Sequence, residues 1–188
     1  MFPLVTDRLI LRGWREEDRA PFAAINADPE VMRYFPRLLS REVSDELVDR
    51  FSSALAAGSV SFAAVEERAT QRFIGFIGLR PVNPDLPIAP ATEIGWRLAA
   101  EVWGRGYATE GAQAALSAGF ARLALDEVVA YTPGDNSASR RVMEIGLRRD
   151  AGRDFNHPGL PDGHLLRWHV VYRINRSDWL RSAASGRA

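Results

Sequence analysis

The residues with the clearest chemical potential lie between positions 93 and 110. Glu93-Ile94-Gly95-Trp96-Arg97-Leu98 alternates as a strand does. Trp103-Gly104-Arg105-Gly106-Tyr107-Ala108-Thr109-Glu110 follows as a Gly-rich turn that runs into an Ala-rich stretch with helical spacing. A strand feeding such a turn leaves several backbone N–H groups at the helix N-terminus unpaired, and the helix dipole adds partial positive charge there. That combination binds phosphate and points to a ligand carrying a pyrophosphate. Two common phosphate loops do not fit. A nucleotide P-loop needs Lys followed by Ser or Thr, and the chain contains no Lys. A dinucleotide fingerprint needs a third Gly where Thr109 stands, inside a first βαβ unit. A Gly-rich turn that only caps a helix is the plainer alternative.

Other catalytic chemistries find little support. With no cysteine there is no disulfide framework, thiol nucleophile or Cys-based metal site. His157, His164 and His169 are spaced by seven and five residues, which puts no two on one helix face and matches no metal-ligand motif, so no metal site is expected. Ser139, His169 and Asp154 could be drawn as a hydrolytic triad, but the chain lacks a Gly-x-Ser-x-Gly elbow.

These residues need a scaffold, and the chain is long enough to provide one. Its 188 residues are 46% hydrophobic and 26% charged, as in an ordinary soluble domain with its own core. Basic and acidic residues balance at 24 each, so nothing global directs the chain to nucleic acid or an anionic membrane. Arg140, Arg141, Arg148, Arg149 and Arg153 form a local cluster, which reads either as solvated surface or as attraction for an anionic cofactor. No apolar stretch approaches the roughly 20 residues that span a bilayer, and no targeting segment precedes the first strand, so a cytoplasmic location is expected.

The pattern predicts a strand at Leu9 and Leu11, a helix over 16–27, and a short helical restart at Asp28-Pro29. A longer helix capped by Ser40 repeats Val43, Leu47, Phe51 and Leu55 and ends at Gly58. A hairpin over 60–66 and 73–79 comes next. The four prolines of 81–90 predict a stiff exposed loop. Strands at 92–98 and 128–132 alternate with helices at 107–123 and 137–144, and two last strands fall near 147–155 and 165–174. The Ala and Gly content of 107–123 suggests close packing on a sheet. The order gives an α+β fold with a single central mixed, mostly antiparallel sheet flanked by helices. One domain is expected over 1–176, with a small helix and tail over 177–188.

In order and spacing, several segments together resemble the GNAT acetyltransferases, in the branch that includes the ribosomal-protein N-terminal-alanine acetyltransferases (RimJ/RimL-like). They are Thr6-Asp7-Arg8-Leu9-Ile10-Leu11-Arg12, Asn26 to Phe35, Ile74 to Leu79, the turn at 103–110, Asn136 to Glu144, Phe155-Asn156-His157-Pro158, Gly163-His164 and Tyr172. Gly106 and Ala108 fill the last two fixed positions of that family's pyrophosphate loop, and Trp103 stands where the general pattern has Gln or Arg. The resemblance covers about Leu4 to Ile174. It implies the GNAT fold and acetyl-CoA as co-substrate. Trp96, Arg97 and Leu98 would offer backbone groups to pantetheine and the thioester. Gly104, Arg105, Gly106, Tyr107, Ala108 and Thr109 would hold the pyrophosphate, and Asn136 and Ser139 would contact the cofactor near the departing sulfur.

Acetyl transfer to an amine needs a proton acceptor, a stabilised oxyanion and a proton for the leaving thiolate. The resemblance implies Asp154 as the base, with Glu93 as rival and His157 or an ordered water behind them. Ser139 is the candidate acid, because Met143 occupies the position where many relatives carry Tyr. Relatives have one more residue between the Met-Glu pair and the Gly ending that helix. Loss of a residue rotates the downstream chain by about 100°, so the cap at Gly146 is expected to differ. Tyr34, Phe35, Trp96 and Trp168 could line an acceptor pocket, and Asp85, Glu93, Asp154 and Asp162 could make it acidic. The acceptor is expected to be a protein N-terminal amine. A small-molecule amine (antibiotic, polyamine or amino acid) is the alternative, and a non-catalytic acyl-CoA sensor is the rival from another class. A monomer or homodimer fits either.

Overall fold

The computed structural model describes residues 2–184. Among them nine strands form one sheet: β1 (Leu4–Val5), β2 (Leu9–Arg12), β3 (Phe62–Glu67), β4 (Arg72–Pro81), β5 (Thr92–Leu98), β6 (Glu127–Pro133), β7 (Arg148–Arg149), β8 (Phe155–Asn156) and β9 (Trp168–Asn175). The order is β1-β2-β3-β4-β5-β6-β9-β7, with β8 also beside β9. Every pairing is antiparallel except β5 with β6, and those two share a single registered pair, Glu93 with Val129. Beyond it the strands part, while β4–β5 and β6–β9 stay paired along their lengths. The α+β, mostly antiparallel sheet expected from the sequence is the one observed.

Helices cover both faces. The helix α4 (Tyr107–Arg122) lies on a core of Leu9, Leu11, Ile77, Leu79, Ile94, Val128 and Tyr172. Its closeness requires glycine. A Cβ on Gly111 would stand 2.4 Å from the Ile77 side chain, and one on Gly119 would stand 2.5 Å from Leu79. On the other face, α1 (Arg19–Ala27) and α3 (Arg41–Ala56) bury Phe22, Val48 and Phe51 against Phe62 and Phe76. Between α1 and α3 lies α2 (Pro29–Met32), capped by Asp28, whose Oδ1 accepts the Glu30 amide at 2.8 Å; Ser40 caps α3 through the Val43 amide at 3.3 Å. Both caps are those the sequence predicts. The last helices are α5 (Ser137–Glu144) and α6 (Arg176–Ala184).

Three expectations need correction. The helix expected over 16–27 opens with a tight turn, Glu16–Asp18, because the Asp18 carboxylate turns inward to Arg12 and to the Arg15 amide. The proline-rich segment 81–90 is irregular with its four prolines exposed, as expected, but it does not stand free of the fold. Val82, Leu86 and Ile88 are buried against Val129, Phe155 and Val171, so apolar residues between the prolines fold it over the sheet. The strand expected over 147–155 is two short ones around a turn at Ala151–Arg153, since the Asp154 Oδ1 takes the Val171 amide at 3.0 Å in place of a main-chain partner. The small helix expected beyond Arg176 is α6, whose Trp179 stacks on Phe120 with centroids 5.8 Å apart; the tail expected after it falls at residues 185–188, outside the described ones.

One buried charge network ties the first strands to this frame. The Arg12 guanidinium donates to Asp18 at 2.7 and 2.9 Å and to Glu66 at 2.8 Å, with all three side chains shielded from solvent. Removing one member of such a group strands a buried charge. Asp18→Asn is expected to lower unfolding stability by about 3–5 kcal/mol. A loss under about 1 kcal/mol in urea titration would show the network to be dispensable.

Candidate active site

The turn at 103–106 is built for positive φ. Gly104 and Gly106 sit at +73° and +79°, where a Cβ is strained, and Gly106 is the residue before α4. A glycine there has no side chain to cap the helix, so the first amides of α4 keep no side-chain partner. The loop is braced from outside. Arg8 donates to the Arg105 carbonyl at 2.8 Å, and its guanidinium lies 4.8 Å from the Tyr107 ring centroid. Glu110 receives the Thr6 hydroxyl at 2.6 Å, the Arg8 amide at 2.9 Å and the Arg8 Nε at 2.6 Å. The Trp103 indole donates to the Leu98 carbonyl at 2.9 Å, joining the loop to the end of β5. The opening motif 6–12 thus holds the Gly-rich turn and the first strands at once.

On the far side of the opening, Asn136 precedes α5. Its Oδ1 accepts the Ser139 amide at 3.2 Å, and its Nδ2 donates to the Thr132 hydroxyl at 2.9 Å and to the Ser139 Oγ at 3.1 Å. With its oxygen already receiving a donor, the Ser139 hydroxyl keeps its proton for another acceptor. Met143 is buried among Leu116, Leu147 and Tyr172 and has no access to a reacting group. The shortened end of α5 closes without a left-handed glycine. The Met143 carbonyl accepts both Gly146 at 3.2 Å and Leu147 at 2.7 Å, and the Tyr172 hydroxyl ties Glu144 and Arg140 to β9.

The odd-numbered residues of β5 face the α1/α3 side. There Glu93 is buried, bonds the Arg80 Nε at 2.6 Å and has the Tyr131 hydroxyl as a second partner. Burial pushes its carboxyl above the usual range against the pull of Arg80 and Tyr131. Burial and Glu93 likewise push the Tyr131 phenol up. Past Tyr131 lie His169, stacked on Phe155 with centroids 5.3 Å apart, and His157, 5.2 Å from His169. The His169 Nδ1 faces the Arg167 carbonyl at 3.1 Å, so that nitrogen carries the proton and Nε2 is an open acceptor. Sequence reading gave Tyr131 and Arg80 no role and weighed His169 only for metal or hydrolytic chemistry. Their only signal was alternation on strands whose pairing was not yet known.

Asp154 is not an open carboxylate. It is ion-paired with Arg149 and accepts the Val171 amide, joining β7, β8 and β9. The acidic pocket drawn from Asp85, Glu93, Asp154 and Asp162 does not form as expected, since Arg80, Arg149 and Arg167 neutralise three of the four. Of the arginine cluster, Arg140 holds the Tyr172 hydroxyl and the Gly134 carbonyl, Arg149 holds Asp154, and Arg153 holds Glu127 at 2.6 Å. Trp96 packs against the α4-side core rather than a pocket, and Trp168 is half-exposed beside Gly134. Tyr34 reaches across to the Asp135 carbonyl at 3.2 Å, and Phe35 covers the Arg97 guanidinium at 4.1 Å.

The family model for the acetyltransferase (GNAT) domain matches residues 8–146. The FsC-acetyl coenzyme A-N(2)-transacetylase of Aspergillus fumigatus is 32% identical over 184 residues, spanning 95% of this chain and 78% of its own. Two solved structures share the fold. A spermidine N-acetyltransferase from Vibrio cholerae, in complex with CoA and spermine, has a TM-score of 0.73 at 21% identity and covers 93% of this chain and 99% of its own. RimL, a ribosomal L7/L12 alpha-N-protein acetyltransferase in complex with coenzyme A, has a TM-score of 0.74 at 16% identity and covers 93% and 98%.

The histidine pair carries a pH consequence. Burial lowers the affinity of both His157 and His169 for a proton from the ordinary value of 6.5. A group depressed in the fold stabilises above its unfolded pKa, and that stability is lost as pH falls through the folded value. The urea midpoint is therefore expected to drop between about pH 7 and pH 5, and the drop should be smaller in His169→Leu. Equal pH slopes for the two proteins would remove His169 as a source.

Proposed function

We propose a site assignment and an acceptor for this chain, which belongs to the GNAT acetyltransferase family: it acetylates a protein N-terminal amine by direct transfer within a ternary complex. The chain is an acetyl-CoA-dependent N-acetyltransferase with acetyl-CoA as its co-substrate. The observation that carries the site assignment is the parting of β5 from β6 beside a helix start with no side-chain cap. Backbone groups of Trp96, Arg97 and Leu98 on the open edge suit the amides and carbonyls of pantetheine. The turn from Gly104 to Thr109 suits its pyrophosphate, with Asn136 and Ser139 on the opposite bank. An extended thioester laid between the strands would put its acyl carbon near the Glu93–Tyr131 pair.

Placing the amine beside an already reactive thioester supplies much of the rate. Glu93 is our choice for the proton acceptor, acting through Tyr131 or a water, because a buried carboxyl with a raised pKa is matched to an amine donor near neutrality. Asp154, occupied by Arg149 and Val171, is assigned a structural role. Ser139 is the group that returns a proton to the thiolate. The RimL likeness supports the protein N-terminus as acceptor. The Vibrio structure raises a polyamine instead, but here arginines neutralise most of the acidic groups such a cation would need.

The chain has no cysteine, so thiol release from acetyl-CoA can be followed with a chromogenic disulfide without background. Peptides with a free N-terminus are expected to turn over and blocked ones not. Turnover confined to small amines would replace the acceptor assignment, and binding of acetyl-CoA with no turnover across the panel would favour a sensor. Glu93→Gln is expected to lower kcat/KM roughly 100-fold at about pH 7 and to abolish the acidic limb of the pH profile. A retained limb would place the base elsewhere, with His169 next in line. Gly106→Val is expected to raise the KM for acetyl-CoA at least about 10-fold through backbone strain at the loop, with acceptor KM little changed. An unaltered acetyl-CoA KM would remove the loop from cofactor binding.

A further inference from the structure

Two arginines and one carboxylate meet on the acceptor side of the sheet. Arg80 is matched by Glu93 at 2.6 Å, whereas Arg97 is matched by no acid among the described residues. Arg97 belongs to the stretch of β5 beyond the Glu93–Val129 pair, where the strand has left β6. Its Nη1 donates to the Asn26 Oδ1 at 2.5 Å. Asn26, wholly buried, is itself held by the Ser44 hydroxyl at 2.7 Å. The guanidinium lies 4.1 Å from the Phe35 ring centroid and 5.5 Å from that of Phe76. Its Nε is buried with no hydrogen-bond partner. Burial, and then the like charge of Arg80, draw its pKa down to about 10, leaving it a cation at neutral pH. Arg12, a buried arginine of the first strands, faces two carboxylates and leaves no such deficit.

An aromatic face and one amide oxygen compensate a desolvated guanidinium only in part. A carboxylate reaching the guanidinium would compensate its charge, and the planar fork favours a carboxylate over a spherical ion. We propose that Arg97 forms a carboxylate subsite in the acceptor pocket, so that the amine acetylated here carries a carboxylate within a few bonds of it. This rests on the acetyltransferase reading above. The carboxylate can come from the α-carboxyl of a free amino acid or from an acidic side chain beside a peptide N-terminus. The same residue opposes a polycationic acceptor.

The test pairs each acid with its amide. Glutamate and aspartate are compared with their α-amides, and N-terminal peptides with Glu or Asp at the second position with the same peptides bearing Gln or Asn. Spermidine serves as the cation. Wild-type protein is expected to prefer the acid by roughly 10- to 100-fold in kcat/KM. Arg97→Gln should erase that preference, read as the acid-to-amide ratio of kcat/KM within each variant so that a change common to both acceptors cancels, and the series that shows the preference names the source. Arg97→Lys, which keeps charge but not the fork, should retain part of it and guards against a folding defect in the Gln variant. Equal rates for acid and amide, a preference for spermidine, or a uniform loss for both classes in Arg97→Gln would overturn the subsite. Calorimetric titration of the same pairs into CoA-saturated protein reads the preference without turnover. Selective binding with no thiol release would therefore sink the transfer reading while upholding the subsite, and binding without selectivity would sink the subsite.

Discussion

The single registered contact between β5 and β6, Glu93 beside Val129, is the constraint on which the rest of the molecule depends. A parallel pair that stops after one contact leaves two strand edges without ladder partners. That is tolerable only where another molecule or a side chain takes those groups. The parting is held open from outside. β5 is fastened to β4 through seven pairs, from Gly75–Leu98 to Pro81–Thr92, and β6 to β9 through another seven. Each half is paired along its length on its outer side, so the slot where the strands part lies between two complete ladders rather than at a frayed edge. Its apex holds a buried carboxylate, and its two banks hold the Gly-rich turn and the Asn136–Ser139 pair.

Charge on this frame is handled in two ways. Where arginine serves the fold, it is matched: Arg12 by Asp18 and Glu66, Arg149 by Asp154, Arg153 by Glu127. Such groups cost much when broken and little when complete, which makes them fasteners. Beside the slot the balance fails. Arg80 and Glu93 cancel, and Arg97 remains with an aromatic neighbour and an amide. An unmet polar atom in an otherwise satisfied interior calls for an explanation, and such departures gather where a protein meets its ligand.

Much of this was legible in the residues. Local signals carried the Gly-rich turn, the Asp28 and Ser40 caps and the close seat of the helix after the turn, because glycine, cap residues and small side chains act through their immediate neighbours. The failures were all tertiary. Prolines at 81–90 speak of irregular, exposed backbone and are exposed, whereas Val82, Leu86 and Ile88 between them find a partner only once β6 and β9 lie beneath them. The break in 147–155 depends on a carboxylate replacing a ladder bond, which alternation cannot signal. Likewise, Tyr131 and His169 occupy ordinary strand positions, and only the pairing of Pro133 with His169 brings that end of β9 to the slot.

Asp154 shows why residue type and rough position do not settle a catalytic role. An acid next to Phe155 on the acceptor side is chemically suited to take a proton, yet its oxygens hold the Val171 amide and the Arg149 guanidinium. What it does instead is hold β7 and β8 on β9, and with them Phe155, on which His169 stacks. Glu93 is also paired, but its environment runs the other way, since desolvation outweighs Arg80 and Tyr131 and leaves the group ready to accept a proton. Two carboxylates beside one sheet thus sit in different surroundings, one spent on holding strands together and the other desolvated. The Val171 amide and the Arg149 guanidinium occupy the oxygens of Asp154, whereas burial around Glu93 favours the protonated form of that residue.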